Sequence, residues 1–295
     1  MNLSIKTCPL CDGEKLLPAM RCTDFYASGE AFELYRCGDC GFLFTQGVPC
    51  SAEIGKYYET PDYISHSDSR KGLVNKIYHL VRAYMLRRKV NLVEREARQQ
   101  KGRILDIGTG TGYFANAMAQ RGWTVEATEK NAAARTFART HFGLEVKEQN
   151  TSPYNTFNII TLWHVMEHIE DLNHTWQQLH EWLAADGLLI VAVPNSRSYD
   201  AQKYQAHWAA YDVPRHLWHF TPDTMVRFGS RHHFTCVRRY PMPFDAFYIS
   251  ILSEKYRQHK FPVLRGLCAG IAAWCSAWFR PDRSSSIIYV FKKQA

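Results

Sequence analysis

The stretch that most restricts the fold is Ile104-Leu105-Asp106-Ile107-Gly108-Thr109-Gly110-Thr111-Gly112-Tyr113-Phe114. Its short apolar run, bounded by glycine, reads as a buried strand, and residues 112–121 read as a helix. Between them, glycine stands at every second position. Such a loop lets backbone approach something that a Cβ would hold off. Two phosphate-binding loops fail to match. A P-loop carries Lys followed by Ser or Thr after its last glycine, whereas Tyr113-Phe114 follow here. A dinucleotide fingerprint sets its third glycine three positions after the second and asks for no acid two residues before the first. Here Gly112 comes two after Gly110, and Asp106 holds the acid position.

The same rhythm continues along the chain. Strands are expected at 103–107, 124–128, 144–147, 157–163 and 187–193, and helices at 112–121, 132–141 and 172–184. Strand–helix alternation with short loops predicts an α/β fold, an open and mostly parallel doubly wound sheet covered by helices. Thr221-Pro222-Asp223 is a helix start, with a Thr N-cap, proline at the first helical position and then an acid; that helix should reach about Arg231. Residues 234–240 and 286–292 read as two closing strands, separated by a partly helical insertion at 241–285.

With 295 residues, the chain has room for roughly two domains at about 150 residues each. Residues 1–48 differ in kind, being rich in Cys and Gly and short in periodic runs. Cys8-Pro9-Leu10-Cys11 is separated by 25 residues from Cys37-Gly38-Asp39-Cys40. Two such knuckles can set four thiolates tetrahedrally, which suits a closed structural zinc site, with iron the softer alternative. So small a module buries too little core to fold alone, and the metal supplies the missing folding energy. Four Cys ligands leave no open coordination position, so no catalysis is assigned there. Cys22, Cys50, Cys236, Cys268 and Cys275 lack comparable spacing and read as bland thiols. The expected division is a zinc-ribbon module at 1–48, a connector with basic helices at 49–101 and the main unit at 102–295.

The acid-first glycine loop resembles motif I of the class I S-adenosylmethionine-dependent methyltransferases. The resemblance implies a Rossmann-like, seven-stranded fold with S-adenosylmethionine as cofactor. Gly108, Gly110 and Gly112 would then lie against its methionine part, and Asp106 would help hold the loop and the ligand's amino group. Glu129 stands 17 residues after Gly112, where the family's ribose-binding acid ends the second strand. A carboxylate can accept both ribose hydroxyls. Residues 148–150 end the third strand without a clear Asp for adenine, and Asn158 replaces the family's usual Asp in the fourth. Trp163-His164-Val165-Met166-Glu167-His168-Ile169 is similar to the post-strand segment of ubiquinone-type small-molecule methyltransferases. That similarity makes His164 a candidate for lining the cofactor site and for catalysis. Spacings of three and four also place His164, Glu167 and His168 on one helical face, a workable divalent-metal triad.

In doubly wound sheets, ligands bind outside the carboxyl ends of the strands. Asp212-Val213-Pro214-Arg215-His216-Leu217-Trp218-His219-Phe220-Thr221 follows the fifth strand and resembles a segment of a bacterial subgroup of these enzymes, often found beside a four-Cys module. It is expected to wall the acceptor pocket, with His216 as base. The alternative is that Arg215, His216 and His219 fix the loop by hydrogen bonds.

The net charge of +8 is uneven: residues 70–103 carry +9, against −5 for 1–69 and +4 for the remainder. The basic segment reads as an amphipathic helix or helix pair, with Val74, Ile77, Val81, Tyr84 and Met85 on its apolar face. Residues 266–279 hold no charge and are flanked by Lys260, Arg265 and Arg280. That run falls short of the ~18 residues of a membrane span, but suits a buried lid or an interfacial helix. Both features allow peripheral contact with a membrane surface or an anionic, lipid-linked acceptor. The N-terminus lacks the signal-peptide pattern, so a cytoplasmic protein is expected. The expected activity is methyl transfer to a small-molecule or lipid-linked acceptor, O-methylation first. Sugar C-methylation is the alternative, because the four-Cys arrangement is similar to that of deoxysugar C-methyltransferases. Against an RNA methyltransferase stand the lack of an Asn/Asp-Pro-Pro-Tyr/Phe motif and of a basic–aromatic stacking platform. Against a non-catalytic binding module stand the intact glycine loop and Glu129.

Overall fold

A computed structural model of the chain describes residues 2–50, 53–58, 73–98, 100–242 and 244–294, with residue 2 and residues 73–80 described in backbone only. Near the N-terminus, β1 (Leu16–Thr23), β2 (Ala31–Cys37) and β3 (Leu43–Gln46) form an antiparallel meander. After α1 (Leu73–Glu96) the alternation begins, with β4 (Arg103–Ile107), α2 (Tyr113–Gln120), β5 (Thr124–Thr128), α3 (Ala132–Phe142) and β6 (Val146–Lys147). It continues through β7 (Phe157–Trp163), α4 (Leu172–Trp182) and β8 (Leu183–Pro194). Next come α5 (Tyr199–Tyr204), the short β9 (Trp218–His219), α6 (Pro222–Arg231) and β10 (Phe234–Pro241). A helical hairpin, α7 (Asp245–Tyr256) and α8 (Pro262–Phe279), fills the predicted insertion before the last strand, β11 (Ser286–Lys293).

Seven strands form one sheet in the order β10-β11-β8-β7-β4-β5-β6. β6, β5, β4, β7 and β8 pair in parallel, and β11 runs antiparallel between β8 and β10. This is the expected mostly parallel α/β architecture. Ile104 and Leu105 of β4 and Ile159, Ile160 and Leu162 of β7 are all buried, as central strands covered on both faces require. Two boundaries differ from expectation. β6 starts at Val146, because only 146–147 find partners on β5. β8 reaches back to Leu183, which pairs with Phe157 ahead of a register shift.

The basic segment forms one helix among the described residues, rather than a pair. Its C-terminal half packs inward, through Met85, Leu86, Val90 and Val93 at helical spacing. Val81 and Tyr84, expected on the apolar face, are instead 43% and 49% exposed, because the inner stripe is set by those four residues. The side chains of Val74 and Ile77 lie outside the described residues.

β9 pairs with β3, so a strand from the main unit completes the N-terminal sheet in the order β9-β3-β2-β1. One apolar core runs through both parts and includes Cys8, Leu10, Phe42, Trp218, Phe220 and Phe228. Phe42 stacks on Trp218 at 6.0 Å and packs against Phe220 and Phe228, each at 5.5 Å. A ring so buried contributes roughly 1.5–3 kcal/mol. Arg231 of α6 closes the contact by donating to both carboxylate oxygens of Asp12, at 2.9 and 2.7 Å.

Candidate functional site

β4 ends where the strand order reverses, between β4 and β7, which opens a crevice at the sheet's carboxyl edge. The loop there turns through Gly108, Gly110 and Gly112 at φ +66°, +57° and +83°, conformations that glycine adopts without strain. A Cβ on Gly108 would come within 2.5 Å of Val165 Cγ2, and one on Gly112 within 3.0 Å of Ala138 Cβ. At Gly110 it would meet nothing within 4 Å, so that position faces open space. Glu129, just beyond β5, accepts from the Gly110 and Asn131 amides, each at 2.9 Å. Each oxygen keeps a further lone pair for a ligand hydroxyl. Asp106 is buried and accepts the Thr161 hydroxyl at 2.6 Å. Burial raises its pKa to about 6, against the pull of Thr161 and the Lys89 charge.

His164 leaves β7 in a left-handed conformation, φ +59°. Its Nδ1 lies 3.4 Å from Glu167 Oε1 and its Nε2 3.2 Å from Asp245 Oδ2. Burial works against its charge, yet Asp245 and Glu167 outweigh burial and raise its pKa to about 9. The helical face expected to unite His164, Glu167 and His168 does not form. Residues 166–168 make a single 3-10 turn, and His164 precedes it outside any helix.

Instead, His216 arrives from the loop after β8. The ligating atoms of Glu167, His168 and His216 all lie within 4.8 Å of one another. His168 Nδ1 is 2.9 Å from the Arg215 carbonyl, and His216 Nδ1 is 2.9 Å from the Ala210 carbonyl. A carbonyl only accepts, so both rings carry N–H at Nδ1 and leave Nε2 as the acceptor nitrogen. Burial, with the neighbouring His216, lowers His168 to about 4 and keeps it neutral at neutral pH. Glu167 is 1% exposed, and among the described residues neither of its carboxylate oxygens accepts a hydrogen bond. A buried carboxylate without such partners is costly. Beside two imidazole acceptors it makes a donor set that fits a divalent cation.

The loop around His216 is held rigidly. Arg215, 1% exposed, donates to Asp24 Oδ1 at 2.8 Å, to Asp212 Oδ1 and Oδ2 at 2.7 and 3.0 Å, and to the Tyr57 carbonyl at 2.9 Å. Thr45 Oγ1 donates to the His216 carbonyl at 2.7 Å and sits 2.9 Å from His219 Nε2. Burial, together with His216, holds His219 far below its ordinary pKa. Arg215 and His219 therefore fix the loop, and His216 turns toward Glu167 and His168.

Two residues of the site escaped sequence reasoning. Lys89 of α1 places Nζ 4.6 Å over the Trp163 ring, and its charge acts on Asp106 and Asp245. Its faint signal is the position four after Met85, on the inner stripe. Asp245 opens α7 and carried no signal at all.

In the N-terminal module, Cys8 Sγ lies 3.5 Å from Cys40 Sγ and Cys11 Sγ 3.5 Å from Cys37 Sγ. All four thiols lie within 4.8 Å of one another. These spacings suit a tetrahedral ion, for which a Zn–S bond of about 2.3 Å implies S···S of roughly 3.8 Å. Backbone amides of Leu10 and Cys11 face Cys8, and those of Asp39 and Cys40 face Cys37; at Cys37 they hold the thiol below its ordinary pKa, whereas burial outweighs them at Cys8 and pushes that thiol up.

Residues 79–238, more than half of the chain, match the methyltransferase-domain family. The chain belongs to that family. Within it, the chain is similar to a ubiquinone biosynthesis O-methyltransferase of Caulobacter sp., 31% identical over 103 residues, or 32% of this chain and 41% of the relative. A second such relative, from Glaesserella parasuis, is 25% identical over 154 residues, or 45% and 65%. The chain thus spans only part of these relatives' lengths. Among solved structures, a candidate sarcosine dimethylglycine methyltransferase from Galdieria sulphuraria shares the fold. It has a TM-score of 0.51 and 14% identity, covering 75% of this chain and 88% of that one. The methyltransferase domain therefore places its glycine loop, Glu129 and the Glu167–His168–His216 cluster along one edge of a family fold.

Proposed function

We propose that the chain is an S-adenosylmethionine-dependent methyltransferase that O-methylates a small-molecule or lipid-linked acceptor. The observation that carries this reading is the glycine loop joined to Glu129: open space at Gly110, and a carboxylate with lone pairs to spare beside it. Family membership and the O-methyltransferase relatives support it.

When bound, S-adenosylmethionine supplies an activated methyl group. Gly108, Gly110 and Gly112 would leave room for its methionine part, Glu129 would accept its ribose hydroxyls, and Asp106 would hold the loop near its amino group. His164, pinned between Asp245 and Glu167, would line the cofactor site. His216 Nε2 would take the acceptor's hydroxyl proton as the new oxygen–methyl bond forms. The loop at 207–221 would align the acceptor and exclude water. Cys8, Cys11, Cys37 and Cys40 would hold a structural zinc.

A second reading concerns only how the proton is lost. The buried Glu167 carboxylate, which has His164 as an ion-pair neighbour but accepts no hydrogen bond among the described residues, favours a divalent cation on Glu167, His168 and His216, which would make the acceptor hydroxyl more acidic.

Calorimetric titration with S-adenosylhomocysteine tests the proposal. Glu129→Ala should weaken binding by about 1–3 kcal/mol, with Glu129→Gln intermediate. No binding by folded, metal-loaded wild type would overturn it.

A further inference from the structure

We infer that the outer face of α8 seats this protein on an anionic lipid surface. One side of the helix is spent on the protein: Gly266, Ala269, Gly270, Ala273 and Ala277 are buried. A Cβ on Gly266 would come within 2.5 Å of Ile251 Cα, and one on Gly270 within 2.9 Å of Phe247 Cα, so α8 lies on α7 nearly backbone to backbone. The opposite side presents Leu264, Leu267, Ile271, Trp274, Trp278 and Phe279 to solvent, the last two 74% and 85% exposed. Soluble surfaces seldom leave so continuous an apolar stripe uncovered.

Charge selects the occupant. From residue 255 to 281 every charged side chain is basic: Lys255, Arg257, Lys260, Arg265 and Arg280. Two copies meeting on this face would set Lys260 and Arg280 against one another, whereas acidic headgroups would neutralise them. Tryptophan and phenylalanine beside basic residues are suited to the boundary between headgroup and acyl chain. α8 is long and apolar enough to cross a membrane by length and composition alone. Crossing, however, would carry the ion cluster of Glu254 with Arg265 and His259 into hydrocarbon. Lying along the surface avoids this. At the opposite, N-terminal end of α7, Phe244 packs on Tyr84 of α1 at 5.4 Å, and Val81, Arg87 and Arg88 of α1 are exposed.

The inference is independent of methyl transfer. Its test is co-sedimentation of the full, metal-loaded chain with vesicles of phosphatidylcholine alone or with added phosphatidylglycerol. Wild type should bind the anionic vesicles. Trp274→Ser, Trp278→Ser and Phe279→Ser together should weaken that binding at least about tenfold, with S-adenosylhomocysteine affinity and thermal stability unchanged. Lys260→Glu with Arg280→Glu should erase the preference for phosphatidylglycerol. The inference is overturned by no vesicle binding, by equal binding to both vesicle types, by equal binding of the triple variant, or by a dimer in solution that the triple variant dissolves.

Discussion

Replacing Arg215 by methionine should unlock the loop that carries His216. The guanidinium is 1% exposed and its partner Asp24 is fully buried, so the substitution strands a carboxylate without its counter-charge. Breaking one side of a buried pair costs about 3–5 kcal/mol. Asp24 also accepts from the amides of Tyr26, Ala27 and Ser28 and from the Ser28 hydroxyl, and Asp212 reaches water, which together place the cost near 3 kcal/mol. For a 295-residue chain that is a fall in Tm of about 5 °C. Adding Asp24→Asn removes the stranded charge, so the double variant should lose less than the sum of the singles by about 1–3 kcal/mol. Burial opposes the ionised form of Asp24, but Arg215 outweighs it and holds the pKa below its ordinary value. Its contribution is therefore present above an unfolded pKa of about 3.9 and lost as pH falls through the lower folded value. The gap between wild type and Arg215→Met should close in acid. Thermal unfolding of the four proteins from neutral to acid pH measures both effects. Additive singles, or a Tm change under about 3 °C, would refute the buried network as the tie between the cysteine module and the site.

If the four cysteines hold zinc as proposed, a strong chelator should lower Tm and speed amide exchange at 43–46 and 217–220, since β3 pairs with β9; unchanged exchange there would sever the link between module and loop. Burial raises Asp106 from 3.8 to about 6, so its ionised form strains the fold; this contribution is favourable below the unfolded pKa and is lost as pH rises through about 6. Asp106→Asn should therefore raise stability by up to about 3 kcal/mol at pH 8 and hardly at all at pH 4, while weakening S-adenosylhomocysteine binding. A gain that ignores pH would count against burial as the cause. Manganese titrated into zinc-loaded wild type should bind at Glu167, His168 and His216, and Glu167→Gln should weaken it at least about tenfold. Absence of manganese binding by wild type would leave His216 alone to take the proton.

Whatever depends on short stretches of chain was readable from the residues alone. The glycine loop needs positive φ at three nearby positions, and only glycine supplies it freely. Strand and helix periods, the Thr221 cap and the Cys-x-x-Cys knuckles are equally local, and the α/β architecture follows from them. Glu129 was placed by the resemblance to the methyltransferases, whose ribose-binding acid ends the second strand. What tertiary structure decided is which distant segments meet. Helical spacing pointed to His164 as the third member of the cluster, but a left-handed residue at 164 broke the face, and the long loop after β8 delivered His216 instead. Lys89 and Asp245 joined the site because α1 and the insertion hairpin close over the same crevice. The four cysteines were legible from their local spacing, but what completes the core of their module was not. Its sheet is finished by β9, because so small a knuckle buries too little apolar surface by itself and completes its core against Trp218, Phe220 and Phe228.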